Sequence, residues 1–180
     1  YTALEEDTTF SVSNQNTPKN IARNSNRDLR SEMRDMNNYF PEIENVASDI
    51  LKAVDYPGSG PVSERILMDV CDYFGFSVRR AENIPHSTRS ITDQREKIIY
   101  IPQRNDLSTR ASRSVVLQTL GHYALQHEVA DEIGTYLRQR VESNYFAAAI
   151  LAPERPAVNF LRSAKKSMDI SVAVSYTHLT

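Results

Sequence analysis

Two apolar stretches placed close together constrain this chain more than anything else in it. Ser114-Val115-Val116-Leu117-Gln118-Thr119-Leu120-Gly121-His122-Tyr123-Ala124-Leu125-Gln126-His127 has the three- and four-residue spacing of a helix and closes on Leu-Gly-His. Val141-Glu142-Ser143-Asn144-Tyr145-Phe146 then leads into an alanine-rich run that Pro153 stops. The stripe of that second helix reads Ile133, Tyr136, Leu137, Val141, Tyr145, Phe146, Ala149 and Ile150. Such a pair must pack on one core, and it sets one histidine and one carboxylate near the contact.

A helical zinc peptidase uses His-Glu-x-x-His because residues four apart share a helix face, so both imidazoles reach the metal while the glutamate activates water. Four positions before His122 stands Gln118, and the position of the general base is Thr119. An amide is a poor zinc ligand beside imidazole, and a threonine hydroxyl takes no proton at neutral pH. His127 lies five residues beyond His122, roughly 140° around a continuous helix, which is a poor arrangement for sharing a metal. His122 and Glu142, with Gln118, are therefore the candidate metal residues of a remnant site that would hold zinc at low occupancy at most, and no catalytic residue is assigned. In the competing reading Glu142 pairs with Arg138 or Arg140, or hydrogen-bonds Gln118 and His122.

Gly121-His-Tyr-Ala-Leu-Gln-His127 followed by Glu142-Ser-Asn-Tyr-Phe-Ala-Ala-Ala-Ile-Leu-Ala-Pro153 is similar to the signature of the ImmA/IrrE family of zincin-like domains. Active members of that family read His-Glu-x-Gly-His and then Glu-Ala-Asn-x-Phe-Ala. In that resemblance the second histidine falls on His122 and the distal glutamate ligand on Glu142, whereas the first histidine and catalytic glutamate fall on Gln118 and Thr119. The form Val-Val-Leu-Gln-Thr-Leu-Gly-His resembles the actinobacterial branch fused behind an Xre-type helix-turn-helix, which includes the short-chain fatty acyl regulators. The resemblance covers 28–169 and is specific over 114–153. It implies an α+β, zincin-like fold, mainly helical with a small antiparallel sheet. It also implies a non-catalytic sensor and dimerisation domain, DNA contact through a helix-turn-helix outside this chain, and a small effector such as an acyl thioester of coenzyme A. The alternative from the same family is an active zinc peptidase that cleaves a repressor.

The remaining sequence fits a cytoplasmic protein, and the resemblance implies that it is a dimeric pseudoenzyme. With 180 residues, 40% apolar content and a net charge of −2, the chain can build a sizeable core but carries no overall basic excess for nucleic acid. One cysteine excludes a disulfide framework, and no run approaches the roughly 20 apolar residues of a membrane span. The chain opens on Tyr1-Thr2-Ala3-Leu4, as a piece of something longer would.

Residues 1–28, polar apart from isolated hydrophobes such as Phe10, Val12 and Ile21, are expected to form a flexible linker. Residues 29–56 carry helical spacing interrupted by Pro41, and are expected to be linker or dimerisation helices or, in the plainer reading, to pack on the core. Tyr56-Pro57-Gly58-Ser59-Gly60-Pro61 marks a boundary, after which 57–169 forms the ImmA/IrrE-like domain and 170–180 a truncated or foreign tail.

Within the domain, Ser63 should cap a helix carrying Ile66, Leu67, Val70 and Cys71 and closed by Gly75. Strands are expected at 76–79, 88–92 and 97–101. Asp106 or Ser108 should cap the next helix. Arg104, Arg110 and Arg113 gather near its start, either as a solvated face or for an anion. Cys71 reads as a buried structural thiol, His86 as a loop residue, and Asn159-Phe160-Leu161 as part of a last helix ending near Lys165-Lys166.

Overall fold

The computed structural model describes residues 18–85, 87–103 and 109–167. Residues 1–17, His86, Arg104, Asp106, Ser108 and the tail from 168 onward lie outside the described residues. The elements in order are α1 (Pro18–Asp35), α2 (Pro41–Ala53), α3 (Glu64–Tyr73), β1 (Ser77–Ala81), β2 (Ile91–Asp93), β3 (Ile98–Pro102), α4 (Thr109–Ala124), α5 (Ile133–Leu151) and α6 (Glu154–Ser167). The fold is α+β, mainly helical with one small sheet.

The backbone forms two compact units. One comprises residues 1–40 and 128–141, the other 41–127 and 142–180. Helix α5 therefore contributes its first half to one unit and its second half to the other.

In the first unit, α1 begins ten residues before the helical pattern was expected, so 18–28 are helical turns rather than linker. Pro18 suits a first helical position, where its missing N–H has no intrahelical partner. The inward stripe of α1 is Ala22, Ser25, Leu29 and Met33, each half-buried. Two of the four are small or polar, so hydrophobic spacing alone does not expose the early turns. Arg138 of α5 pairs with Glu32 of α1. Ile133 and Tyr136, expected on a buried stripe, are 39% and 57% exposed, because the α5 core begins only at Ser143.

In the second unit, α2 buries Ile43, Ala47, Ile50 and Leu51 and lies against α3. The turn-rich 56–61 stretch is thus a connector inside this unit, and the unit boundary falls before Pro41 instead. Ser63 caps α3 by accepting the Ile66 N–H at 3.3 Å. Helix α3 rests on β1, and α4 rests on β3.

The sheet order is β1-β3-β2, with β3 antiparallel to β2 but parallel to β1. This corrects the expected antiparallel sheet. The chain leaves β1, crosses to form β2 on the far side, and returns as the central strand, so strands adjacent in sequence are not all neighbours in space. A central strand covered on both faces needs a nearly continuous apolar run. Ile98-Ile99-Tyr100-Ile101-Pro102 supplies one, with four of the five residues buried. Asp93 holds the β2–β3 turn by accepting the N–H groups of Arg95 and Glu96 at 3.0 Å each.

Cys71 is buried at 2% exposure, and burial followed by the nearby charges of Asp72 and Glu64 pushes its thiol up to about 12. In native protein it should stay unmodified by a thiol reagent that labels the urea-unfolded chain completely, since the nucleophile is the thiolate. The core under α4 and α5 centres on Leu117, Leu120, Phe146 and Ile150, all at 0% exposure. Phe146→Ala should cost about 3–5 kcal/mol of unfolding free energy, measured by urea denaturation.

Candidate functional site

The site forms where α4 ends. The backbone leaves α4 through a left-handed residue, Gln126 at φ 53°. The His127 N–H donates to the His122 carbonyl at 2.9 Å, and the Gln126 N–H to Tyr123 at 3.2 Å. These two bonds make a Schellman cap, in which the side chains flanking the turn, here His122 and His127, are brought into contact. That contact is usually between hydrophobes. The expectation that the two rings diverge by 140° held for an uninterrupted helix, and α4 stops at Ala124 instead.

The rings meet edge to face with centroids 5.0 Å apart, and Nδ1 of His127 lies 3.0 Å from Nδ1 of His122. On its other side His127 Nε2 lies 2.9 Å from Glu142 Oε2. A carboxylate only accepts, so His127 Nε2 carries the hydrogen, its Nδ1 offers a lone pair, and His122 Nδ1 donates to it. One proton arrangement therefore satisfies all three groups with both rings neutral, leaving the remaining lone pair on His122 Nε2. The side chain of His127 is 8% exposed and that of Glu142 22%. Partial burial, then the neighbouring His127, lowers the His122 pKa below its usual value.

Glycine at 121 makes this geometry possible. A Cβ there would lie 3.1 Å from Ser143 Cα and 3.1 Å from Phe146 Cδ1. A residue without a side chain lets α4 come this near α5 without displacing Ser143 or Phe146.

Of the sequence-predicted residues, His122 and Glu142 are joined, but through His127. Gln118 donates its amide N–H to Ser114 at 3.1 Å, and Thr119 donates its hydroxyl to the Val115 carbonyl at 3.1 Å, each one turn back in the same helix. Among the described residues no three His, Cys, Asp or Glu side chains are grouped to hold a metal ion. The donor set does not fit zinc: His122 and Glu142 each face one nitrogen of the same imidazole, and Gln118 and Thr119 bond within their own helix.

Arg113, expected on a solvated or anion-facing patch, is instead a structural side chain. Its guanidinium donates to the Val62 carbonyl and lies 3.3 Å from the Glu64 carboxylate, with the side chain 13% exposed. It ties the start of α4 to the start of α3.

The fold is similar to that of a Mycobacterium tuberculosis transcriptional regulator. The two structures match with a TM-score of 0.63 at 19% sequence identity, over 85% of this chain and 57% of that one. The chain thus spans little more than half the length of that regulator. No protein-family model and no curated protein matches the sequence.

Sequence reasoning passed over a second feature of this unit, a cleft of about 470 Å³ where α2, the end of α5 and the start of α6 meet. Glu44, Ser48, Lys52, Tyr56, Arg155 and Asn159 are among the residues that line it. Tyr145 donates its hydroxyl to Glu44 at 2.9 Å. Burial raises the Glu44 pKa above the ordinary carboxylate value, the tyrosine opposes that shift, and the nearby Glu154 charge adds to it. No spacing rule links residue 44 to residue 145, so only the packing of α5 on α2 could disclose this pair.

His122 has a lowered folded pKa, so on acidification the unfolded chain takes up its proton first, near pH 6.5. Stability from this group is fully present above that pH and is lost as pH falls towards the lowered folded value. Histidine NMR titrations should place His122 below 6.5 in the native protein, and His127→Ala should return it towards the ordinary value by opening the ring to water.

Proposed function

We propose that the chain is the non-catalytic, effector-sensing and dimerising part of an Xre-type transcriptional regulator. Its DNA-reading helix-turn-helix would lie elsewhere in the full protein. The observation that most supports the non-catalytic half is the bridging of His122 and Glu142 by His127. An imidazole already hydrogen-bonded to both remnant ligands, with Gln118 and Thr119 bonded within their own helix, leaves a peptidase neither metal cage nor base. The fold shared with a transcriptional regulator supports the regulatory half.

The effector would sit in the α2–α5–α6 cleft, whose volume lies within the range of small-molecule sites. Its lining constrains the ligand. Lys52 and Arg155 offer cations to a phosphate or carboxylate, while Glu44, Asp49 and Glu154 oppose a molecule of high negative charge. An acyl thioester of coenzyme A, expected from the family resemblance, would therefore place its acyl and thioester end here and keep its phosphates near the two cations. Dimerisation would use the first unit, where Met36, Tyr39, Ile133 and Tyr136 expose apolar surface.

The test is a thermal-shift screen of short-chain acyl thioesters against the purified chain. A ligand at a hundred times its dissociation constant adds about 2.7 kcal/mol, a rise of roughly 5–10 °C for a chain of this size. Arg155→Ala should abolish the shift. Absence of any shift across the series removes the acyl thioester as effector. Zinc near one per chain in elemental analysis, lost in His122→Ala and Glu142→Ala, would restore the peptidase reading.

A further inference from the structure

Helix α1 is zoned in three directions. Arg23, Arg27, Arg30 and Arg34 are spaced four, three and four apart, so they fall within roughly 60° of arc at 3.6 residues per turn. All four are exposed. The half-buried stripe of Ala22, Ser25, Leu29 and Met33 runs along one flank, and Asp28, Glu32 and Asp35 occupy the far side, where Glu32 is taken by Arg138. The four arginines, with Asn24, Asn26 and Asn38 and the apolar Leu29, Met33 and Val141, line an open groove of about 1310 Å³ that belongs entirely to the first unit.

This zoning concentrates positive charge that the net charge of −2 conceals. The arginines are close at hand for one another: Arg34 donates its Nε–H to the Arg30 carbonyl at 3.3 Å, and the 3.8 Å contact of Arg27 with Asp28 is solvent-exposed and therefore weak. Four like charges over about 16 Å of helix make a local positive field, which an anion of matching length alongside would neutralise. We infer that the arginine face of α1 is a docking surface for the phosphate backbone of duplex DNA.

Three features select this partner. Arginine forks bind phosphate oxygens in pairs, and asparagine amides add further donors of the kind that contact a DNA backbone. A single strand is bound largely by aromatic stacking platforms, and α1 contains no aromatic residue. A membrane surface requires a broad face of large apolar side chains that insert beside the cations, whereas the apolar lining of this groove is limited to the half-buried Leu29, Met33 and Val141. A duplex carries one negative charge per about 1.7 Å of axis, so several phosphates lie within the span of the stripe. The contact is sequence-independent and supplements a DNA-reading module. It extends the proposed regulatory role, yet it is read by a different assay from effector binding, so either can fail alone.

The experiment is fluorescence anisotropy of a short labelled duplex titrated with the 180-residue chain from about 50 to 200 mM salt. Four phosphate contacts give a slope of log affinity on log salt of about −3.6, and each Arg→Gln change should reduce its magnitude by about 0.9. Arg27→Gln with Arg30→Gln should therefore halve the slope. Arg79→Gln with Arg80→Gln, exposed on β1, should leave it unchanged. The substituted side chains are exposed, and far-ultraviolet circular dichroism should match the parent. No binding at the lowest salt, or a slope indifferent to the α1 changes, overturns the inference. So does capture by phosphatidylserine vesicles without capture by the duplex.

Discussion

The close approach of α4 to α5 at Gly121 is the contact on which the second unit depends. A Cβ at 121 would lie 3.1 Å from a backbone atom of the facing helix, so even an alanine would require the neighbours to give by a few tenths of an ångström. Phe146 meets this point with its ring edge, and Leu117, Leu120, Phe146 and Ile150 of the same two helices have no exposed surface. The polar chemistry sits at the rim of the same contact. Glu142 is one residue before the buried Ser143, and His122 one residue after the glycine. The helix pairing does not depend on these polar groups, because it is held by the apolar residues around the glycine.

The backbone device that ends α4 recurs. Asn37, Asp55, Gly75 and Gln126 each take a left-handed conformation, and each allows the next residue to bond back to a carbonyl five positions earlier. In two of these caps the flanking pair lies in or against the core, as with Cys71 and Phe76. At α4 the same geometry closes on two histidines, which converts a packing motif into a hydrogen-bonded chain with a defined tautomer. The outcome depends on Gln126 accepting a conformation that costs a non-glycine residue about 1–2 kcal/mol. The hydrogen bonds and ring contact on either side of it offset that cost.

The two units divide the chemistry. The second contains the histidine chain and the polar cleft, with Glu44 held between a tyrosine hydroxyl that favours its charge and burial that opposes it. The first contains a helix whose charges are sorted by direction rather than balanced locally. Sorting of this kind leaves overall composition unchanged. A net charge near zero is therefore compatible with a strongly basic face, and a composition-based argument against nucleic acid applies to the average surface only.

Several features were legible in the sequence because they depend on neighbours a few residues away. The helix carrying Leu-Gly-His, the alanine-rich helix ended by Pro153, the Ser63 cap, the Gly75 stop and the buried Cys71 all follow from local spacing, capping chemistry and turn residues. The spacing of the α1 arginines was equally present in the sequence, but a hydrophobic stripe containing Ala22 and Ser25 is too weak a signal to show that those residues share a helix. Tertiary structure alone decided the rest. The parallel pairing of β1 with β3 depends on which side the crossover takes, and Arg113 meets Val62 across fifty-one positions. The joining of His122 to Glu142 through His127 required a left-handed glutamine to end a helix that propensity would have continued. Burial and long-range hydrogen bonds outweigh local preference at these places, and they exist only once the chain has folded.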